Sequence, residues 1–202
     1  MKPRIRVGGL HTIAADLESF APTHLIGILD PQMPEPEAYA PLRSRADFTL
    51  LRFLDRDRPE EGPASHHVVE SLAAIDRALA AARTGPARLF IHCHAGASRS
   101  TATAYLALVR QHGPAAADAA FAELLAITNK PWPNRRIVAL ADAILAARGR
   151  LLAPLDAYRA AHPNRLEAYV RLHYRRARRD PGYGDRLGMR AWPGYSARHL
   201  QD

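Results

Sequence analysis

Apolar residues fall along this chain in two different rhythms. Early on they form short unbroken runs closed by polar or glycine residues, which predict buried strands. Ile5-Arg6-Val7 before Gly8-Gly9 is the first, Leu25-Ile26-Gly27-Ile28-Leu29 the second, Phe48 to Leu54 the third and Arg88-Leu89-Phe90-Ile91-His92 the fourth. Between them the spacing changes to that of a helix. Ile13, Leu17 and Phe20 make one stripe from near Thr12, and Val68, Leu72, Ile75 and Leu79 make another that closes at Thr84-Gly85. The proline-rich stretch from Asp30-Pro31 to Pro41 predicts a loop.

After Arg99 the helical rhythm takes over. One helix runs to His112 with Gly113 as its stop, and a second begins at Pro114 and continues to about Thr128. A third begins near Asn134 and ends by Gly149, with Ile137, Leu140, Ile144 and Leu145 inward. Strands alternating with helices, then helices alone, predict an α/β fold with a small parallel sheet of about four strands covered by helices on both faces. The expected organisation is one domain over residues 1–150, followed by a basic helical extension over residues 151–202.

The fourth run delivers the chain's single cysteine into His92-Cys93-His94-Ala95-Gly96-Ala97-Ser98-Arg99-Ser100, between a strand and a helix. In such a sheet a ligand belongs at the carboxyl ends of the strands, where Cys93 falls. The residue types suit binding and attack of a phosphoryl group. Backbone N–H groups from His94 through Ala95, Gly96, Ala97 and Ser98 to Arg99 can form an anion nest at a helix N-terminus. That nest and the Arg99 guanidinium favour the thiolate, the form of cysteine that acts as a nucleophile. A guanidinium fork also grips two phosphate oxygens at once. Gly96 lets the backbone turn close to a ligand, and the Ser100 hydroxyl can donate to the sulfur. Two other readings of Cys93 use the same residues. One is a structural cysteine beside two histidines. The other is a metal site, which lacks a second Cys/His cluster at ligand spacing and needs neighbouring strand residues to share a face.

The string HCx5R(S/T), and more fully HCxAGxSRS, resembles the phosphate-binding loop of the cysteine-dependent protein tyrosine phosphatases, most of all the dual-specificity subgroup. The likeness spans roughly residues 5–150. Pro133-Asn134-Arg135-Arg136 with Ile137 to Asp142 and Arg148-Gly149-Arg150 also resembles a bacterial branch of predicted tyrosine phosphatases. The resemblance implies hydrolysis of phosphotyrosine, with phosphoserine or phosphothreonine as further substrates, through a phosphocysteine intermediate and without a cofactor or metal. It implies that Cys93 attacks, that Arg99 and the loop amides hold the oxygens, and that His92 sits behind the loop and fixes its shape.

Expelling an alkoxide or phenoxide also calls for a general acid. Relatives place an Asp thirty to forty residues before the cysteine, and here two qualify. Asp55 follows the third strand directly, where dual-specificity relatives carry theirs, and Asp57 is the reserve. The Trp-Pro-Asp triplet of tyrosine-specific relatives is absent. Asp30 also ends a strand, but it lies much further upstream and is a poor candidate.

Charge alters the picture at one end only. The net charge is +8, yet residues 159–202 hold ten arginines against Glu167, Asp180, Asp185 and Asp202. Asn164 to Arg179 predicts a helix with Leu166, Tyr169, Val170, His173 and Ala177 on one stripe. Its basic face is either solvated, a surface for an anionic partner, or a homodimer contact. Pro181-Gly182-Tyr183 and Pro193-Gly194-Tyr195, each with Arg three positions on (Arg186, Arg198), predict an extended arm. A lone cysteine, no apolar run of membrane length and no secretory h-region predict a cytoplasmic protein without a membrane span. The expected partner is a phosphorylated protein or peptide. Relatives that act on inositol phospholipids tend to carry Lys within the five-residue insert; here no Lys stands between Cys93 and Arg99, so the resemblance disfavours the alternative of an inositol-phospholipid substrate. A catalytically silent phosphate-binding module is the remaining alternative.

Overall fold

The computed structural model describes residues 1–60 and 62–186. Four parallel strands, β1 (Arg4–Gly9), β2 (His24–Leu29), β3 (Asp47–Arg52) and β4 (Arg88–Cys93), form one sheet in the order β1-β4-β2-β3. Gly9 pairs with Cys93 and Gly27 with His92, so β4 runs between β1 and β2 and carries Cys93 to the carboxyl edge. The predicted α/β class and four-strand parallel sheet are both present.

Alternation along the strands splits the core in two. Ile26, Ile28, Leu89, Ile91 and Cys93 belong to one cluster. With them pack α2 (Ser65–Thr84), α3 (Arg99–His112), α4 (Ala117–Ile127), α5 (Arg135–Ile144) and α6 (Leu152–Ala161). Leu25, Leu29 and Phe90 face the other way. There they meet α1 (Ile13–Phe20) and residues of α7 (Arg165–Arg179) and α8 (Pro181–Arg186). Both sheet faces are therefore covered, as the continuous apolarity of β2 requires.

Several local expectations are corrected. The helix predicted to reach Gly149 stops at Ile144, which is 40% exposed rather than inward. The buried carboxylate of Asp142 accepts from the Gly149 and Leu151 amides at 2.7 and 3.0 Å, folding the chain back where a helix would run on. The turn releases α6, a helix within the predicted helical extension whose bounds the sequence did not mark, and its Leu155 and Tyr158 are buried. The helix predicted from Pro114 opens with a 3-10 turn over Pro114–Ala116. The proline-rich loop also contains a 3-10 turn, Glu37–Leu42, which buries Tyr39 and Leu42. The first Pro-Gly-Tyr unit is the start of α8, not an extended arm, and its Tyr183 joins the α1-side core. The second unit, with Arg198, lies outside the described residues. Among the described residues no helix is long and apolar enough to cross a membrane.

Candidate active site

The segment from Cys93 to Ser100 joins β4 to α3 and is held from outside through its carbonyl groups. The His94 carbonyl accepts from the Leu10 amide at 2.8 Å and that of Ala95 from the Tyr169 hydroxyl at 2.9 Å. The Ala97 carbonyl accepts from the Trp132 amide at 2.8 Å, and that of Ser98 from the Ala102 and Asn134 amides at 2.9 and 3.2 Å. In a trans peptide the N–H points opposite to the C=O it shares a plane with. Four amides, those of Ala95, Gly96, Ser98 and Arg99, are thereby turned away from these outer partners. Gly96 makes the turn at φ +72°, and a Cβ there would stand 2.7 Å from the Gly8 carbonyl oxygen.

Cys93 is 2% exposed, and its Sγ lies 3.2 Å from Ser100 Oγ. Arg99 is 3% exposed, an unusual place for a guanidinium. Its Nη1 donates to Asp30 Oδ1 at 2.7 Å and to the Phe53 carbonyl at 2.6 Å, while its buried Nε has no hydrogen-bond partner. Burial opposes the charge on Arg99, but Asp55, then Cys93 and Asp30, outweigh it and hold the guanidinium above its ordinary range.

Behind the loop, His92 is fully buried, which pushes its pKa down to about 3. Burial likewise pushes Tyr39 well above the usual phenol range, so its hydroxyl remains protonated. The two rings are joined by a hydrogen bond from the Tyr39 hydroxyl to His92 Nε2. A neutral ring accepting at Nε2 carries its proton on Nδ1, which faces the Cys93 carbonyl at 3.4 Å. Gly27 makes room for this contact, since a Cβ there would lie 2.7 Å from the Tyr39 oxygen. The side chain of His94 is also buried, and its Nε2 accepts from the Asp30 amide at 3.1 Å. Its imidazole is thus engaged with the end of β2.

The two candidate acids part company. Asp55 Oδ1 accepts from Ser98 Oγ at 2.8 Å and from Asn134 Nδ2 at 2.9 Å, and its Oδ2 lies 3.8 Å from Arg99 Nε. Asp57 faces α5 and α6, with its Oδ1 3.4 Å from the Arg136 amide and its Oδ2 3.5 Å from Arg159 Nη1. Both carboxylates still border a cleft of about 890 Å³, along with Cys93, Arg99 and Asp30. That size is typical of a small-molecule site. Among the described residues no three His, Cys, Asp or Glu side chains gather to hold a metal ion.

The contacts made by three residues escaped sequence reasoning. Asp30 ends β2 far from Cys93 in sequence, yet the sheet order brings it to Arg99. Tyr39 sits in a segment with no periodicity to betray burial. Asn134 is both the N-cap of α5, accepting from the Ile137 amide at 3.0 Å, and a donor to Asp55. Its place before a helical stripe signals the cap; nothing local signals the second bond.

Neither a protein-family model nor a curated protein sequence matches the chain. Solved structures do. A human tyrosine phosphatase-like serine/threonine/tyrosine-interacting protein matches with a TM-score of 0.52 and 20% identity, over 70% of this chain and 91% of that one. The Yvh1 phosphatase domain from Chaetomium thermophilum matches with a TM-score of 0.50 and 19% identity, over 77% of this chain and 95% of that one. At such identity the likeness speaks to architecture, and the architecture is the phosphatase-like α/β fold.

Proposed function

We propose that the chain hydrolyses phosphate monoesters on protein side chains through a phosphocysteine intermediate. The observation that carries this reading is the joint placement of Cys93 and Arg99 at the carboxyl edge of the sheet, beside a loop in which the carbonyls of His94, Ala95, Ala97 and Ser98 are tied outward. The amides opposite those carbonyls and the unpartnered Nε of Arg99 supply donors for non-bridging phosphoryl oxygens. The Cys93 thiolate attacks phosphorus, forming an S–P bond as the P–O bond to the side chain breaks. Asp55, as the acid, delivers its proton to the departing oxygen. A water then attacks phosphorus and gives its proton to the Asp55 carboxylate. The S–P bond breaks, and the Ser100 hydroxyl at 3.2 Å donates to the sulfur as its charge returns.

Asp55 is preferred over Asp57 because its carboxylate is held against Ser98 and Arg99, whereas Asp57 is drawn toward α5 and α6. The fold neighbour described as phosphatase-like, and not as a phosphatase, keeps a non-catalytic binding module as the competing reading. One experiment separates them. The purified chain turns over p-nitrophenyl phosphate and the Cys93→Ser variant does not. Substantial turnover by the variant excludes the phosphocysteine route. Binding of phosphopeptides without turnover by the unaltered chain identifies the silent module.

A further inference from the structure

The helix α7 lies outside the segment that carries the phosphatase-like motifs, yet it borders the cleft, and its sequence shows two ridges. Tyr169, His173 and Ala177 stand at i, i+4 and i+8 and bind the helix to the domain. The Tyr169 hydroxyl donates to the Ala95 carbonyl, and its ring lies 4.3 Å from that of His173. His173 Nδ1 is 2.7 Å from the Tyr183 hydroxyl, and Ala177 and Tyr183 are buried in the α1-side core. Burial, then Cys93, raises Tyr169 beyond the usual phenol range, so it stays a donor to the loop.

The second ridge is Leu166, Val170 and Tyr174, again at i, i+4 and i+8, and all three border the cleft over Cys93. Leu166 is 49% exposed, an apolar side chain turned to open space on a helix otherwise rich in arginine. The same cleft is bordered by Leu54 and Trp132. Trp132 is fixed by the hydrogen bond its backbone N–H donates to the Ala97 carbonyl and by the Arg159 guanidinium, 4.9 Å from the ring centroid. The nucleophile is therefore buried at the floor of a cleft with hydrocarbon from Leu54, Trp132, Leu166 and Val170 on its sides, while Arg56, Arg58, Glu167 and Arg171 also border it. An apolar side wall above an anion-binding floor stabilises a flat ring that carries its phosphate at the far end. It offers little to a phosphate on one or two methylenes, which cannot fill the space while reaching the floor.

We propose that α7 is a substrate-selecting wall: Leu166 and Val170 make the cleft prefer a phosphate borne on an aromatic ring, such as phosphotyrosine, over one borne on a short alkyl chain. This deepens the proposed hydrolase reading and rests on Cys93 and Arg99 forming the phosphate site.

The test is equilibrium binding of phenyl phosphate and of ethyl phosphate to the full-length Cys93→Ser protein by calorimetry. Phenyl phosphate is expected to bind at least about tenfold more tightly, a difference of ~1.4 kcal/mol. Adding Leu166→Ala and Val170→Ala is expected to bring the two affinities within about threefold, by weakening phenyl phosphate alone. Leu166→Ala by itself, at a half-exposed position that folding tolerates, is expected to remove part of the preference. Equal affinities before substitution, or a preference that survives it, overturns the wall. Binding of neither ligand overturns the phosphate site and the wall together. Selective binding with no turnover by the unsubstituted chain overturns the hydrolase reading and leaves the wall standing.

Discussion

Asn134 donates from Nδ2 to Oδ1 of Asp55 at 2.9 Å, tying the start of α5 to the loop after β3 across 79 residues of chain. Ser98 donates to the same oxygen, so one side of the carboxylate is held while Oδ2 lies toward Arg99. In the proposed reaction Oδ2 is the atom that carries the proton, and Asn134 is a positioning residue for it.

Substitution of Asn134 separates its two roles. Asn134→Ser keeps an N-cap oxygen for the Ile137 amide and loses the donor to Asp55. Its stability is expected within about 0.5 kcal/mol of the parent, whereas Asn134→Ala loses about 1 kcal/mol. Both are expected to lower kcat on phenyl phosphate about tenfold with little change in KM. A kcat equal to the parent's in Asn134→Ser would confine Asn134 to helix capping.

Removing the proposed acid matters most when the leaving group is poor. Asp55→Ala is expected to lower kcat by about 100-fold or more on phenyl phosphate and by much less on p-nitrophenyl phosphate, whose anion leaves without protonation. Asp57→Ala is expected to stay within about threefold on both. The reverse ranking in steady-state kinetics reassigns the acid to Asp57.

The buried pair between Asp30 and Arg99 is a stability element with a functional signature. Asp30→Ala leaves the Arg99 charge with the Phe53 carbonyl and the more distant Asp55. Its expected cost is about 2–3 kcal/mol in urea unfolding, below the range for a fully enclosed pair because one side of the cleft is open. Bound inorganic phosphate supplies a replacement anion. Saturating phosphate is therefore expected to raise the melting temperature of Asp30→Ala more than that of the parent. Equal shifts would mean that Arg99 does not meet the anion.

Acid should loosen the fold through two buried histidines. Burial, the largest cause in each case, lowers His92 to about 3 and His173 to about 4. In the unfolded chain both take up protons near 6.5, where the folded chain does not, so their neutral-state stability is complete above that pH and declines as pH falls toward 4. Each is expected to cost about 2 kcal/mol between neutral pH and pH 5. Urea unfolding across that interval gives the slope, and His173→Gln should remove about 2 kcal/mol of the change. An unchanged slope would place a proton on His173 in the native state.

Much of this molecule is legible from local pattern. The rhythm of β2 and β4 demands burial on both faces and so a covered parallel sheet. The string from His92 to Ser100 is readable because its chemistry is contiguous: the proposed nucleophile, the proposed anion nest and the guanidinium all lie within one strand-to-helix connection, and the spacing carries the geometry. The spacing of Ile137 and Leu140 marks α5, and the stripe from Leu166 to Ala177 marks α7, although only Tyr169, His173 and Ala177 of that stripe dock while Leu166 is half exposed. Where the helix after Asn134 would end was not legible, because the stop is a buried carboxylate, Asp142, that accepts from amides several residues ahead.

What only the tertiary structure decided are the relations made across the sheet and between distant helices. Strand order sets Asp30 against Arg99, packing buries Tyr39 against His92, and the fold of α5 brings Asn134 to Asp55. The register of α7 against the loop puts Leu166 and Val170 over the cleft. Hydrophobic periodicity records which face of an element is buried, since that follows from each residue's own transfer free energy. It does not record which other element covers that face, because any apolar surface of suitable shape satisfies it.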